Sequence, residues 1–259
     1  MAQTEFKRYE YKYIIDDITY YKLLAKLENF MDYDIFCKDN KPYEIFNIYF
    51  DTKDDDVIKK SLSHPYYKEK LRLRSYNQSG DDDLVFLELK KKIDGVVSKR
   101  RIIVTLADSK KVLDGSLNVN LIEGSTNALY EITNYINRYE LFAKLAISYQ
   151  RLALFAKDGS GFRVSFDTNI RTNREKLGLE NTQNSNLLLR NKILMEAKIK
   201  GPLPIWFVHI LSELNIKRTS FSKYGNEYMT YTSNKKVNEI KVAKVKERRE
   251  DEQFIYLTS

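Results

Sequence analysis

Basic residues recur at every second position in several short segments of this sequence. The clearest row is Lys70, Arg72 and Arg74, in which the charged residues alternate with leucines. In a β-strand, side chains two residues apart point to the same side and lie about 7 Å apart. Arginine binds phosphate oxygens in pairs through its planar guanidinium group, and lysine adds a mobile positive charge. The row therefore indicates a surface that binds successive phosphate groups, although a solvated strand face would show the same alternation.

The same alternation of apolar and charged residues occurs in eight segments. They are residues 6–15, 44–51, 68–76, 84–92, 98–105, 146–154, 162–168 and 193–200. The charged faces carry more basic than acidic residues. The basic residues are Arg8, Lys12, Lys70, Arg72, Arg74, Lys90, Lys99, Arg101, Arg151, Arg163, Lys198 and Lys200, and the acidic residues are Glu10, Asp51, Glu88, Asp167 and Glu196. Such crowding of cations favours a polyanionic ligand, because unpaired buried ions are costly.

Only a few helices are available to cover the apolar faces of these strands. Helical spacing of apolar residues is found in 17–31, 54–62, 127–142 and 204–216. Four helices are few for eight apolar strand faces. A closed sheet accounts for this pattern, because its charged faces line an interior and its apolar faces pack on helices outside. We therefore predict an α+β fold, an eight-stranded antiparallel β-barrel with a basic tunnel and helices packed outside. The predicted domain spans residues 1–234, and the charged tail 235–259 is expected to be helical or loose.

The charge balance narrows the class of ligand. Lys and Arg number 44 against 36 Asp and Glu, which gives a net charge of +8 and a pI near 9.2. An eight-stranded barrel has room for one slim ligand, so a triphosphate or a linear phosphate chain fits, whereas duplex nucleic acid does not. Single-stranded nucleic acid is disfavoured, because we expect the aromatic residues on the apolar faces of the strands, away from the basic rows.

Several other classes of protein are excluded or disfavoured. The single Cys37 rules out a disulfide framework and a cysteine zinc site, as is typical of the reducing cytosol. No run of eighteen apolar residues is present, so we expect a cytoplasmic protein without a membrane span. Membrane association would then depend on a partner protein that this sequence does not reveal, and the oligomeric state is equally open. The absence of a GxxxxGK[ST] motif argues against a P-loop nucleotidase.

Nine segments, in order, resemble the polyphosphate polymerase domain of the vacuolar transporter chaperone (VTC) family in its stand-alone bacterial form. They are FKRYEYKYII, NIYFDT, YKEKLRLRSY, VFLELKKK, SKRR, SYQR, FRVSFDTNIR, MEAKI and TSFSKYG, which together extend from about residue 5 to residue 228. The resemblance implies the triphosphate tunnel metalloenzyme fold. It also implies transfer of the γ-phosphoryl group of ATP to a growing polyphosphate chain, with Mn²⁺ or Mg²⁺ as cofactor.

The resemblance assigns roles at the matching positions. It implies catalytic phosphate ligands at Lys12, Arg72, Arg74, Lys90, Lys99, Arg151 and Lys223. It further implies phosphate contacts at Tyr149 and Ser222, and a metal ligand at Glu196. From the basic rows we add substrate contacts at Arg8, Glu10, Lys70, Glu88, Arg101, Arg163, Lys198 and Lys200. The wider superfamily has Glu-x-Glu-x-Lys in its first strand, and because this sequence has Arg8 at the first of these positions, a second metal site there is disfavoured.

Three activities are compatible with the sequence. The first is an ATP-dependent polyphosphate polymerase, and the second is a metal-dependent hydrolase of tripolyphosphate or nucleoside triphosphates. The third is a non-catalytic sensor that binds polyphosphate or an inositol polyphosphate. The scarcity of carboxylates on the charged strand faces favours the polymerase over the hydrolase.

Overall fold

Eleven β-strands form a single sheet in this computed structural model, which describes residues 9–94, 96–116, 126–181 and 185–237. The strands are β1 Tyr9–Ile15, β2 Met31–Tyr33, β3 Tyr43–Asp51, β4 Tyr67–Tyr76, β5 Leu84–Ile93, β6 Val96–Thr105, β7 Phe142–Ala156, β8 Arg163–Asn173, β9 Asn186–Leu187, β10 Ile193–Ile199 and β11 Arg218–Thr219. Eight of them are long, and these eight correspond to the eight alternating segments of the sequence.

The helices lie between the strands in the chain. They are α1 Asp17–Leu27, α2 Asp56–Leu62, α3 Leu106–Leu113, α4 Thr126–Arg138, α5 Ile205–Glu213 and a sixth helix, α6, over residues 223–237, with a short 3-10 helix at Lys38–Asn40. Asp16 caps α1 by accepting a hydrogen bond from the Thr19 amide, as its sequence predicts. Within the described residues, no helix combines the length and the apolar character needed to cross a lipid bilayer.

The long strands follow the order β1-β10-β8-β7-β3-β4-β5-β6, and each neighbouring pair is antiparallel. The sheet curls until β1 and β6 come into contact, and the 3.2 Å ion pair between Lys90 of β5 and Glu10 of β1 spans the same junction. The predicted α+β fold with an eight-stranded antiparallel barrel is confirmed, with one difference. In the described part of the chain β1 and β6 are not joined by backbone hydrogen bonds, since β11 already occupies the free edge of β1.

The apolar faces of the strands pack against helices outside the barrel. Helices α1 and α5 cover one cluster of buried residues from β1, β7, β8 and β10, which includes Phe166 and Phe207. Helices α3 and α4 cover a second cluster from β3 to β6, which includes Leu71 and Leu73. A third cluster lies on the inward side, where it joins Tyr49 of β3 and Tyr149 of β7 to α2 and the start of α6. The predicted separation of apolar exterior and charged interior is therefore confirmed for the first two clusters, whereas the third adds apolar groups to the interior.

Some boundaries differ from the sequence prediction. The predicted helix 127–142 ends at Arg138, and residues from Phe142 onward belong to β7 instead. Helix α3 and the short strands β2, β9 and β11 were not predicted. Helix α6 begins at Lys223 and extends to residue 237, so it includes the first three residues of the predicted tail 235–259, and residues 238–259 lie outside the described part of the chain.

Candidate phosphate-binding site

The charged faces of the strands converge in the interior of the barrel. The interior cations are Lys12, Lys70, Arg72, Arg74, Lys90, Lys99, Arg101, Arg151, Lys198 and Lys223, and the interior carboxylates are Glu10, Glu88, Asp167 and Glu196. Strands that lie far apart in the sheet order contribute to both the interior cations and the interior carboxylates. The ten cations thus outnumber the four carboxylates, and the predicted excess of positive charge inside the barrel is present.

Glu88 on β5 organises the cations of β4 and β6. Its side chain is fully buried, and it accepts hydrogen bonds from Arg72 Nε at 2.9 Å, Lys99 Nζ at 3.1 Å and Arg101 Nε at 2.7 Å. Burial alone would raise the pKa of this carboxyl, but the surrounding guanidinium and ammonium groups outweigh it and hold the pKa well below its usual range. Glu88 is therefore ionised and orients these cations, and its predicted contact with substrate stays a prediction.

A second buried cluster joins β7, β8 and α6. Arg151 Nε and Nη2 contact the two oxygens of Asp167 at 2.6 and 2.7 Å, and Lys223 Nζ donates to the same carboxylate. Arg151 also lies 3.3 Å from Glu196. The pKa of the Asp167 carboxyl is lowered, because Arg151 and Lys223 outweigh the opposing effect of burial. Asp167 fixes two predicted phosphate ligands, a role that the sequence did not assign to it.

Arg74 is held by polar groups that are mostly neutral. Its Nε donates to Asn47 Oδ1 and its Nη2 donates to the Tyr149 hydroxyl, both at 2.9 Å, while Glu88 is 3.9 Å away. Tyr49 plays the same part for Arg72, whose Nη1 lies 3.1 Å from the Tyr49 hydroxyl. Tyr149 was predicted to contact phosphate, and its hydroxyl lies in the interior, where it accepts a hydrogen bond from the Arg74 guanidinium.

Lys70 has no carboxylate partner. Within the described residues no Asp or Glu lies within ion-pair distance of its ammonium group, which donates to Ser222 Oγ at 3.4 Å. Lys70 is paired across the sheet with Lys90, and Lys68 with Lys92, so two successive cross-strand pairs bring like charges together. Burial, with the repulsion of Lys90 and Lys12, lowers the pKa of Lys70 to about 7. Among the described residues, Lys70 thus carries an interior positive charge that no carboxylate balances.

Glu196 and Glu10 have the chemistry of a divalent-metal site that substrate completes. Both contact the same ammonium group, Lys12 Nζ, at 3.7 and 3.2 Å. Burial would raise the pKa of each carboxyl, but nearby lysines lower it, so both are ionised. Mg²⁺ is commonly bound by one or two carboxylates together with substrate phosphates. The two residues fit such an ion, and the described residues contain no cluster of three or more His, Cys, Asp or Glu that could hold a metal alone.

The remaining predicted residues lie at the ends of the barrel or outside it. Arg163 is at one mouth, where it donates to Asp34 and to the Tyr43 hydroxyl at 3.0 and 3.2 Å. Lys200 is exposed one residue beyond the end of β10, so the strand alternation no longer turns it inward. The prediction of an interior Lys200 is therefore wrong. Arg8 lies outside the described residues.

Asp51 is a further correction, because the sequence pattern grouped it with the interior carboxylates. Its oxygens accept hydrogen bonds from the amides of Val57 and Ile58 at 2.8 and 2.9 Å, and from the Tyr224 hydroxyl at 2.8 Å. Because β3 ends at this position, the carboxylate meets the first turn of α2 instead of the interior. Asp51 is a structural residue.

A curled antiparallel sheet with helices outside and cations inside defines a protein of the triphosphate tunnel type. The VTC domain model matches residues 7–232, which is most of the chain, and this protein therefore belongs to the VTC domain family. The matched range includes every interior residue named above.

Solved structures support the fold. A proposed adenylate cyclase from Bacillus halodurans is 16% identical, with a TM-score of 0.51 over 85% of this chain and 96% of that chain. Another from Vibrio parahaemolyticus is 10% identical, with a TM-score of 0.42 over 88% of this chain and 99% of that chain. At these identities the similarity concerns the fold alone, and only the first of these two structures is similar enough to support it. No curated protein matches the sequence closely enough to count as a relative.

Proposed function

We propose that this protein is an ATP-dependent polyphosphate polymerase that transfers the γ-phosphoryl group of ATP to the end of a polyphosphate chain and releases ADP. The observation that carries the proposal is the excess of cations in the barrel interior, where ten cations face four carboxylates. Membership of the VTC domain family supports the choice of phosphate compounds as substrates. Lys70 has no carboxylate partner in the described part of the chain, which supports a polyanion rather than a neutral ligand.

The state of the carboxylates favours phosphoryl transfer to phosphate over hydrolysis. Each of the four has at least two cationic groups within 4 Å, and each has a lowered pKa. A general base works best when its pKa lies near the working pH, so these carboxylates are poorly suited to activate water. The terminal oxygen of a polyphosphate chain is already anionic and needs no base.

The proposed reaction is a single displacement at phosphorus. A terminal oxygen of the polyphosphate chain forms a bond to the γ-phosphorus of ATP, the bond from that phosphorus to the β,γ-bridging oxygen breaks, and the electron pair leaves with ADP. Arg72, Arg74 and Arg151 neutralise the equatorial and bridging oxygens, which is the main demand of phosphoryl transfer. Lys12 and Lys223 hold Glu196, which lies beside Arg151.

A divalent ion, proposed to be Mn²⁺ or Mg²⁺, would be held by Glu196 with Glu10. When bound, it would supply Lewis-acid neutralisation of phosphate oxygens. The protein residues provide the rest of the positioning through the fixed network around Glu88 and Asp167.

Product analysis tests the proposal directly. We expect incubation with ATP and Mn²⁺ to yield ADP and a ladder of polyphosphates on a gel. The variant Arg72→Ala is expected to lower the rate of polymer formation at least a hundredfold, because it removes a buried guanidinium that faces the substrate. Glu196→Gln is expected to abolish the response to added metal.

A neighbouring arginine provides the matched control. Arg100 precedes Arg101 on β6 but points outward to Glu131 of α4, at 2.6 Å. Arg101→Ala should slow polymer formation, whereas Arg100→Ala should leave it within about twofold. Release of free phosphate without a ladder would instead identify a hydrolase, and tight binding without turnover would identify a sensor.

A further inference from the structure

One end of the barrel interior is aromatic. On β4 the inward row Lys70, Arg72 and Arg74 continues to Tyr76 at the end of the strand. Four rings meet there, and we name them the aromatic mouth: Phe36, Tyr43, Tyr76 and Phe86. Phe36 and Tyr76 are nearly parallel, at 12° with centroids 6.4 Å apart, and Tyr43 and Phe86 lie 6.0 and 5.4 Å from Tyr76.

The rings of the aromatic mouth are held in place while exposed to solvent. Phe36 is 64% exposed, and Tyr76 is 37% exposed. The turn that carries Phe36 is anchored by the buried Asp34, which accepts hydrogen bonds from the Phe36 amide at 3.2 Å and from Arg163 at 3.0 Å. An exposed apolar patch that is rimmed by polar residues is typical of a binding surface.

The aromatic mouth is continuous with the interior cations. The Arg101 guanidinium lies 4.3 Å from the Phe86 ring centroid and donates to the Tyr76 hydroxyl, while Arg163 donates to the Tyr43 hydroxyl. A ligand that lies on these rings therefore has guanidinium groups beside it. The surface suits a molecule with a flat ring at one end and negative charge next to it.

The opposite end of the inward-facing rows on β4 and β5 carries lysines instead of aromatic rings. There the cross-strand pairs are Lys70 with Lys90 and Lys68 with Lys92, in register on β4 and β5. Lysine binds phosphate as a point charge without demanding a flat partner. The two ends of the interior therefore differ: aromatic rings and arginines lie at one mouth, and paired lysines lie towards the other.

We propose that the aromatic mouth binds the nucleobase of a nucleoside triphosphate and thereby directs its phosphates towards the paired lysines. This inference rests on the proposed function. It adds the aromatic rings as the groups by which the site distinguishes a nucleotide from an inorganic phosphate chain. Any nucleobase can stack on an aromatic ring, because stacking does not depend on the hydrogen-bonding groups of the base. We therefore expect the aromatic mouth to favour nucleotides over inorganic phosphate chains, without a preference for one base.

Calorimetric titration of Phe36 variants tests the inference. The probes are a β,γ-imido analogue of ATP and inorganic tripolyphosphate, each added to the full chain with Mg²⁺. Phe36→Ala is expected to weaken binding of the ATP analogue about tenfold, the loss of one base–ring stack, and to leave tripolyphosphate binding within twofold. Phe36→Tyr keeps the ring and should bind both probes as the wild type does. Tyr130→Ala, which removes an exposed ring on α4, should do the same.

The outcomes separate this inference from the proposed function. Equal weakening of both probes in Phe36→Ala, or no weakening of either, would overturn the role of the ring. In a wild type that binds both probes, that result would overturn the nucleobase site alone and leave the proposed function standing. A wild type that binds tripolyphosphate but not the ATP analogue would overturn both the nucleobase site and the use of ATP, and would leave only the phosphate site. A wild type that binds neither would overturn the proposed function, and the nucleobase site with it.

Discussion

At the scale of single residues, Lys70 shows how an excess of interior cations affects the stability of the protein. The ammonium group has lysines around it and no carboxylate partner within the described residues. Because its pKa in the folded protein is about 7, against 10.5 in an unfolded chain, the unfolded chain binds more protons between these values. The free energy of unfolding therefore rises with pH from about 7 to about 10 through this residue.

Lys70→Met is expected to raise the stability of the folded protein and to weaken its binding of phosphate compounds. The apolar side chain removes an unpaired, partly buried charge, so the free energy of unfolding without ligand should increase by about 1 kcal/mol at pH 7. The rise in stability between pH 7 and 10 should become smaller, and affinity for tripolyphosphate should fall at least tenfold. Denaturant unfolding at several pH values, with and without tripolyphosphate, measures all three.

An exposed lysine provides the control for Lys70. Lys22→Met on α1 changes the same charge away from the interior and should leave stability and binding within experimental error. If Lys70→Met were destabilised and still bound tripolyphosphate normally, Lys70 would be a structural residue.

The sequence predicted the interior cations but not how they are held. Alternation placed Arg72, Arg74 and Arg151 on inward faces, because the period of a strand is two regardless of which strands are neighbours. Their partners depend on register, which pairs Arg74 with Asn47, Arg72 with Glu88, and Arg151 with Asp167 across different strand boundaries. These pairs join residues from 16 to 27 positions apart in the chain. No local pattern could reveal them.

The general expectation that aromatic rings lie on the apolar faces was too broad. Tyr49, Tyr76 and Tyr149 share the inward side with the cations, as the strand alternation already indicated for Tyr49 and Tyr149. A tyrosine has both an apolar ring and a hydrogen-bonding hydroxyl, so its type does not decide which face of a strand it occupies.

At the scale of elements, the eight long strands were predictable and the small elements were not. Alternation over seven or more residues is a strong signal, and all eight segments overlap the observed strands. Strands β9 and β11 have two residues each, too few to show any period. Helix α3 follows β6 without an intervening loop, capped by Thr105, the last residue of the strand. Its start was therefore hidden within the preceding strand pattern.

Asp51 is expected to hold two helices to the barrel. Its carboxylate joins the end of β3 to the first turn of α2 and to Tyr224 of α6, the helix that begins with Lys223. Asp51→Asn replaces an accepting oxygen with a donating amide facing other donors, so we expect a loss of about 3 kcal/mol in the free energy of unfolding. Because Lys223 is displaced with α6, tripolyphosphate affinity should fall as well.

Tyr224→Phe is the matched comparison for Asp51. It removes only the hydrogen bond to Asp51 and keeps the buried ring, so the expected loss is about 1 kcal/mol. Denaturant unfolding of both variants measures the difference. If Asp51→Asn lost no more stability than Tyr224→Phe, the contacts to α2 would contribute nothing measurable.

At the scale of the whole molecule, the barrel concentrates positive charge where it is least screened. The chain carries a net charge of +8, and six of the positive charges in excess over carboxylates are those of the interior groups. Charges on the exterior are surrounded by counterions, whereas buried charges repel one another more strongly. The fold is therefore under electrostatic strain that a slim polyanion inside the barrel would relieve.

Inorganic tripolyphosphate is accordingly expected to stabilise the folded protein far more than other polyanions do. At a concentration a hundred times its Kd, a ligand that binds the native state alone adds about 2.7 kcal/mol, which for a chain of this size raises the Tm by roughly 5–10 °C. Duplex DNA at the same phosphate concentration can reach only the exterior, because it is too wide for an eight-stranded barrel, and should shift the Tm by less than about 1 °C. Thermal unfolding in 0.15 M salt measures both shifts, with Arg100→Ala and Arg101→Ala as the exterior and interior variants. An equal shift from the two polyanions, or a tripolyphosphate shift that survives in Arg101→Ala but is lost in Arg100→Ala, would mean that phosphate binds to the outer surface and that the interior cations serve another purpose.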